Sequence, residues 1–161
     1  MKPSDPLRHA FQKPLYAMVR VTPGGFEIND AIYPDLRGQI TRMGLTRKFF
    51  HEGTLACSSP DGVRAMDGTL CASCLDPRCQ PRLRVHLAMD KITYVLDLAS
   101  TSAAKLFHIE DEARAERLEL ADCLLRLTVE SRGHWGEVTF ERLPHPRELK
   151  QAHENPDPPS A

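Results

Sequence analysis

Four of the five cysteines in this chain lie within 23 residues of one another, at spacings that suit a bound metal ion. They form the pattern C-x13-C-x2-C-x4-C, and the residues are Cys57, Cys71, Cys74 and Cys79. Four thiolates at such spacings can surround one tetrahedral ion, most often Zn²⁺, at S–Zn distances of about 2.3 Å. Asp-Gly and Asp-Pro pairs between the cysteines allow the chain to turn back on itself. The sequence therefore predicts a structural zinc site in a loop over residues 57–79.

Other uses of cysteine explain this pattern less completely. A redox Cys-x-x-Cys site needs only two thiols and would leave Cys57 and Cys79 without a role. Disulfides need an oxidising compartment, and the first residues contain no apolar segment typical of an export signal. The zinc-deaminase signature requires His-x-Glu, whereas here His51 directly precedes Glu52. A closed structural site is therefore favoured, and no catalytic residue is assigned.

The length predicts one domain, with room for a small subdomain held by the metal, and the composition leaves the type of partner open. The reduced cysteine cluster and the lack of an export signal predict a cytoplasmic protein. The 161 residues are 41% hydrophobic and include 13 prolines, which suits a modest core and argues against a helical bundle. No apolar run approaches the roughly 20 residues of a membrane span, so no membrane partner is expected. The formal net charge is only −1, so an argument for nucleic-acid binding must rest on where the charges lie.

Two basic segments flank the cysteine cluster. Between Leu36 and Phe50 there is no acidic residue, and the cations are Arg37, Arg42, Arg47 and Lys48. The second segment follows the cluster and contains Arg82 and Arg84. Such runs are often solvated strand faces whose charges pair with acidic residues elsewhere. With aromatic neighbours they also suit phosphates and stacked bases, and both interpretations stay open.

Hydrophobic alternation predicts a small, mostly antiparallel β structure with one helix. Five or six strands are expected from signals near residues 16–22, 36–43, 81–89, 92–98, 118–129 and 135–143, and residues 26–33 suit a short strand or an extended loop. One helix is expected after the N-cap sequence Ser100-Thr101-Ser102, with Ala103, Leu106 and Phe107 facing the core. This order favours an OB-like barrel over residues 15–143 with the zinc loop inserted. Residues 1–14 are expected to be a flexible arm and residues 144–161 a disordered tail.

Single residues in these elements have competing interpretations. Cys123 lies in an apolar stretch and is expected to be a small buried side chain. Phe50 and Tyr94 are candidate platforms for stacked bases. Trp135 is equally suited to stack on a base or to cover the core at the end of a hairpin.

Several of these motifs together resemble a loosely defined group of small zinc-bearing proteins encoded by phages and integrated mobile elements. The similarity covers residues 36–143 and rests on the run 57–62 (Cys-Ser-Ser-Pro-Asp-Gly), the three later cysteines, the following strand pair and Ser100-Thr101-Ser102. The resemblance implies an OB-like domain that binds single-stranded DNA. One difference is that the zinc-loop region of that group often carries more aromatic residues than this chain has.

The leading hypothesis is a non-enzymatic protein that binds single-stranded DNA or another nucleic acid. Its groove would be lined by Arg37, Arg42, Arg47, Lys48, Arg82 and Arg84, with Phe50, Tyr94 and Trp135 as stacking platforms. The alternative is a zinc-stabilised adaptor that binds proteins, or a subunit of a larger nucleoprotein complex, for example of the CRISPR type. An enzyme is the third possibility, because no catalytic triad order or phosphate-binding loop stands out.

Overall fold

The computed structural model describes residues 15–74, 76 and 78–144. The predicted arm at residues 1–14, and the predicted tail apart from Pro144, lie outside the described residues. Within them, the chain forms a mostly β structure with one α-helix, as the sequence predicts. No helix in these residues combines the length and the apolar composition needed to cross a membrane.

Nine strands are present in the described residues, more than the five or six predicted. They are β1 (Leu15–Thr22), β2 (Gly25–Ile28), β3 (Ala31–Tyr33), β4 (Asp35–His51), β5 (Thr54–Ser59), β6 (Gln80–Met89), β7 (Ile92–Leu98), β8 (Leu124–Ser131) and β9 (Gly136–Leu143). The helix is α1 (Ser100–Ala115), and two short 3-10 turns occupy Cys71–Ser73 and Leu120–Asp122. The additional strands are short, and one of them, β5, leads directly into the cysteine loop.

All nine strands belong to one sheet, in the order β3-β2-β1-β7-β6-β4-β8-β9, with β5 also paired to β4. The ladder is open, because its two end strands, β3 and β9, do not pair with each other in the described part of the chain. β1 and β7 run parallel, from the pair Leu15 and Ile92 onward, while the other strand pairs are antiparallel, so the sheet is mostly antiparallel as predicted. The parallel pair joins strands that are far apart in sequence, and alternation within each strand carries no sign of it.

The strand β4 is the element that organises the sheet. Its first residues, 35–38, pair with β8, and residues 39–48 pair with β6 on the other edge. Its last residues, 47–51, pair with β5. Gly38 lies at the change of partner, where any Cβ would collide with the carbonyl oxygen of Ala88. The ladder to β6 is interrupted at Thr41 by a bulge, which bends the strand.

The hairpin of β6 and β7 confirms the predicted alternation. Val85 and Leu87 of β6, with Leu96 and Leu98 of β7, are buried in the core, while Arg82, Arg84 and His86 lie on the outer face. Asp90, at a φ of 53°, makes the predicted turn. The core is completed by side chains of β8, β9 and α1.

The helix differs from the prediction in two details. Its N-cap is Ala99, which makes no side-chain cap, and Ser102 instead is buried and accepts a hydrogen bond from the Val138 backbone N–H at 2.9 Å. Ala103 and Leu106 face the core as expected, but Phe107 is 44% exposed. Successive helical residues point about 100° apart, so Leu106 and Phe107 cannot both face the core centre.

The predicted strand over residues 118–129 is wrong in its first half. The chain makes a 3-10 turn at Leu120–Asp122, and β8 begins only at Leu124. Leu120 and Cys123 are nevertheless buried, and burial of Cys123 confirms its interpretation as a core residue. β9 begins at Gly136, so Trp135 belongs to the preceding turn and not to the predicted strand.

Candidate metal centre and nucleic-acid interface

The cysteine loop is shaped by the end of β4 and by short-range hydrogen bonds. Cys57 lies on β5 opposite Phe49, beyond a turn at Glu52 and Gly53 in which both φ angles are positive. Asp61 then accepts backbone N–H bonds from Val63 and Arg64 at 2.9 and 3.1 Å, which is the Asx-type turn expected of this residue.

The next two cysteines form the tight turn expected of a Cys-x-x-Cys pair. The backbone N–H of Cys74 donates to the carbonyl of Cys71 at 3.1 Å. The N–H of Cys79 donates to the carbonyl of Asp76 at 3.2 Å, so the fourth cysteine also follows a turn. The second turn leads directly into β6, which begins at Gln80.

The four clustered cysteines line one cavity of about 110 Å³. Cys71 is buried, Cys57 and Cys79 are half-buried, Cys74 is exposed, and all are free thiols. Cys123 lies apart in the core, where its thiol donates to the Glu119 carbonyl. The structure therefore brings the four predicted cysteines together and excludes the fifth.

The donor chemistry of this cavity fits Zn²⁺, because four sulfur atoms border a single space. In the described part of the chain, however, no three His, Cys, Asp or Glu side chains are arranged as a metal-ligand set. Burial raises the pKa of the Cys57 thiol, and Asp67 and the other three cysteines raise it further. A cation in the cavity would favour the thiolates. The zinc site stays a prediction.

A separate groove, of about 880 Å³, collects four of the predicted nucleic-acid residues. They are Lys48, Phe50, Arg82 and Trp135. Met18 and Arg20 of β1, together with residues 99–102 at the start of α1, complete much of its wall. Residues that are up to 87 positions apart in sequence, from Lys48 to Trp135, thus share one concave surface.

The register of the sheet explains why these side chains meet. Thr46 pairs with Arg82, and Lys48 pairs with Gln80, so Lys48 and Arg82 project from the same face of β4 and β6. Trp135 enters from the β8–β9 turn, in which the Arg132 N–H donates to the Trp135 carbonyl at 2.9 Å. Phe50 is 56% exposed and Trp135 is 39% exposed, so both aromatic faces are open to a ligand.

The positive charge of this surface is partly neutralised by Asp97. Its carboxylate accepts hydrogen bonds from Arg84 at 2.8 and 3.0 Å and from Lys48 at 2.5 Å. Burial alone would raise the pKa of Asp97, but the bonds from Arg84 and Lys48 hold it below its usual range. Arg82 makes no ion pair with any described residue, so it is the most available cation of the groove.

Acidic residues also line the groove. Glu27 pairs with Arg20 at 2.6 Å, and Asp30 lies on the same wall. The groove is therefore mixed in charge.

The remaining predicted residues lie elsewhere. Arg37 is at the opposite end of β4, beside Asp35 at 3.4 Å. Arg42 and Arg84 lie on the same face of the sheet as Lys48 and Arg82 but do not line the groove. Arg47 lines the cysteine cavity. Tyr94 is half-buried, packs against the core from β7 opposite Leu87 and does not line the groove, so its role as a stacking platform stays a prediction.

Three exposed residues of the outer face were missed by the sequence analysis. Tyr16 is 60% exposed, and its ring meets His86 edge-on at a centroid distance of 6.1 Å. Met18 is similarly exposed and lines the groove. The alternation of β1 places Tyr16, Met18 and Arg20 on one face, but only the pairing of β1 with β7 brings that face beside His86.

No family model, curated protein or solved structure was found to match this chain.

Proposed function

We propose that this chain is a non-enzymatic protein that binds single-stranded DNA or another nucleic acid and carries a structural zinc site. One observation carries the proposal: two exposed aromatic side chains, Phe50 and Trp135, share a groove with Arg82, a cation that pairs with no carboxylate of the described residues. Aromatic faces stack bases of any sequence, and cations neutralise phosphates, which together suit single strands.

The order of the central strands supports an OB-like interpretation. β7-β6-β4-β8-β9 form a five-strand series in which α1 joins the third strand in sequence to the fourth. In OB-folds the face of strands two and three, with the loops that join strands one to two and four to five, binds oligonucleotides. Here these are the β6–β7 face, the cysteine loop and the turn with Trp135. On this interpretation β1 is an extra strand beside β7.

Zinc would stabilise the groove indirectly, through the cysteine loop next to it. β5 begins the cysteine loop and pairs with the part of β4 that carries Lys48 and Phe50. An ion held by Cys57, Cys71, Cys74 and Cys79 would keep that loop folded and so fix the wall of the groove. The proposed role is structural, with no step of catalysis assigned to the metal.

Binding of a labelled oligothymidine, followed by fluorescence anisotropy at two salt concentrations, tests the proposal. The protein is expected to bind at low salt and to lose affinity as salt rises, because counterions are released from the phosphates. Arg82→Glu is expected to weaken binding by about tenfold or more and to reduce the salt dependence. Arg37→Glu, at the far end of the same strand, is the matched control and is expected to change affinity less than threefold.

Absence of binding at low salt would overturn the proposal and favour a protein-binding adaptor or a subunit of a larger nucleoprotein complex. The specific observation behind that second candidate is the acidic lining of the groove by Glu27, Asp30 and Asp97. Such a lining, with exposed Met18 and Phe50 nearby, also suits a basic and apolar peptide. Equal losses for Arg82→Glu and Arg37→Glu would show binding without a defined groove.

A further inference from the structure

The cavity of the four cysteines contains one charged side chain whose polar group is left without a partner. Arg47 lines this cavity, and its Nε atom is buried and makes no hydrogen bond to any described residue. A buried guanidinium N–H without an acceptor is costly, and such groups are rare in folded proteins. An acceptor bound in the cavity that Arg47 lines could satisfy this group.

The other polar groups of the cavity are already engaged. The Ser59 hydroxyl donates to the Asp61 carboxylate at 3.1 Å and to the Arg64 carbonyl at 2.8 Å. The Asp67 carboxylate accepts the Thr69 N–H at 2.9 Å, and no ion pair joins Asp67 to Arg47 in the described part of the chain. The four thiols line the same cavity as Arg47, and no hydrogen bond joins the Arg47 Nε to any group of the described residues.

From this geometry we infer that Arg47 donates hydrogen bonds to the cysteine sulfurs when they are deprotonated and offsets the negative charge of a metal–thiolate cluster. The inference rests on the proposed zinc site and deepens it. Four thiolates around one divalent ion leave two net negative charges in a partly buried space. A guanidinium beside them supplies positive charge and N–H donors at the place where both are lacking.

The position of Arg47 in β4 also joins the metal centre to the groove. Arg47 faces the cysteines, while Lys48 on the opposite face of the same strand lines the groove. Arg47 is thus a positioning residue of the metal site and not a phosphate contact, although the sequence alone groups it with the basic run.

Metal affinity of the full chain tests the inference. Zn²⁺ and Co²⁺ affinities are measured by competition with a chelating indicator, for the wild type, Arg47→Gln and Arg42→Gln. Partners around a metal site usually change its affinity by about 10- to 100-fold, so Arg47→Gln is expected to weaken binding by that factor. The cobalt–thiolate absorption is expected to keep its shape, because the four sulfur ligands are retained. Arg42→Gln, on the outer face of the same strand, is expected to bind as the wild type does.

The outcomes separate this inference from the zinc site itself. A wild type that binds no metal overturns the zinc proposal and the role of Arg47 with it. A wild type that binds, with Arg47→Gln equally tight, overturns the role of Arg47 alone. Arg47→Lys covers the case in which the Gln variant fails to fold. It keeps the charge and is expected to recover most of the affinity, so a folded Lys variant with a full 100-fold loss contradicts the charge-offset role.

Discussion

The two ends of β4 carry similar residues in very different surroundings. At the first end, Arg37 and Arg126 both approach the carboxylate of Asp35, at 3.4 and 2.9 Å, so the positive charge there is partly neutralised. At the other end, Arg47 faces the cysteine cavity and Lys48 faces Asp97 and the groove. The role of each cation is thus decided by what the sheet places opposite it.

The geometry of an extended strand explains how β4 contacts Asp35, the cysteine cavity and the groove. Eleven residues separate Arg37 from Lys48, which is up to about 36 Å of extended chain. Adjacent residues point to opposite faces, so Arg47 and Lys48 reach different sites from neighbouring positions. The first end therefore serves to pair β4 with β8. The second end contributes residues to both candidate sites.

Removal of one metal ligand should have the largest effect on zinc content and on oligothymidine binding. Both losses concern the second end of β4. Cys71→Ser is expected to lose the bound zinc entirely and to abolish oligothymidine binding, because the loop of residues 57–79 would no longer be held together. Metal content per chain and anisotropy measure the two effects. Cys123→Ala, in the core, is the control and should keep one equivalent of zinc. Full zinc content in Cys71→Ser would contradict the four-cysteine site.

Loss of an aromatic face in the groove should have the next largest effect. Phe50→Ala and Trp135→Ala are each expected to cost about 1–3 kcal/mol of binding free energy, or about 5- to 150-fold in affinity, if a base stacks on the ring. Phe107→Ala, an equally exposed ring on α1, should leave oligothymidine affinity unchanged. A similar loss in all three variants would show that the groove has no special part in binding.

Substitution of two glycines in β4 should change the free energy of unfolding by different amounts, because only one of them is closely packed. Gly38→Ala places a methyl group against the Ala88 carbonyl and 3.0 Å from the Leu87 side chain, so about 1–3 kcal/mol of destabilisation is expected. Gly44→Ala meets nothing within 4 Å and should stay within about 0.5 kcal/mol of the wild type. Urea unfolding measures both. Equal effects would mean that the change of partner strand at Gly38 tolerates a side chain.

Removal of the Asp97 charge should have the smallest effect on stability. It tests how far this carboxylate neutralises the cations at the second end of β4. Its folded pKa is lowered by Arg84 and Lys48, so its stabilising contribution is present above the unfolded pKa near 4 and is lost as pH falls through the lower folded value. Asp97→Asn should therefore destabilise the protein by about 1 kcal/mol at neutral pH, with a difference that shrinks in acid.

The same substitution should raise oligothymidine affinity a few-fold at low salt, because Arg84 and Lys48 are released from their partner. Thermal unfolding between pH 3 and 7 and anisotropy at neutral pH measure the two consequences. A stability difference that is constant with pH would contradict the assignment of the lowered pKa to Asp97.

Much of the local structure could be predicted because it depends on short-range patterns. The β6–β7 hairpin, its buried face and the burial of Cys123 follow from alternation and turn residues. The sequence predicts a strand where the 3-10 turn at Leu120–Asp122 lies, because the apolar residues around it recur at nearly even spacing. The exposure of Phe107 was missed because one turn of a weakly amphipathic helix does not specify which apolar residue faces inward.

By itself, the sequence determined which residues share a face of each strand and which cysteines are close along the chain, since both depend on neighbours a few positions away. Only the tertiary structure decided that β1 lies parallel to β7, that Trp135 joins Phe50 and Arg82 in one groove, and that Arg47 faces sulfur while Lys48 does not. Alternation separates the two faces of a strand but carries no record of what packs on either, because that is set by pairing between distant segments.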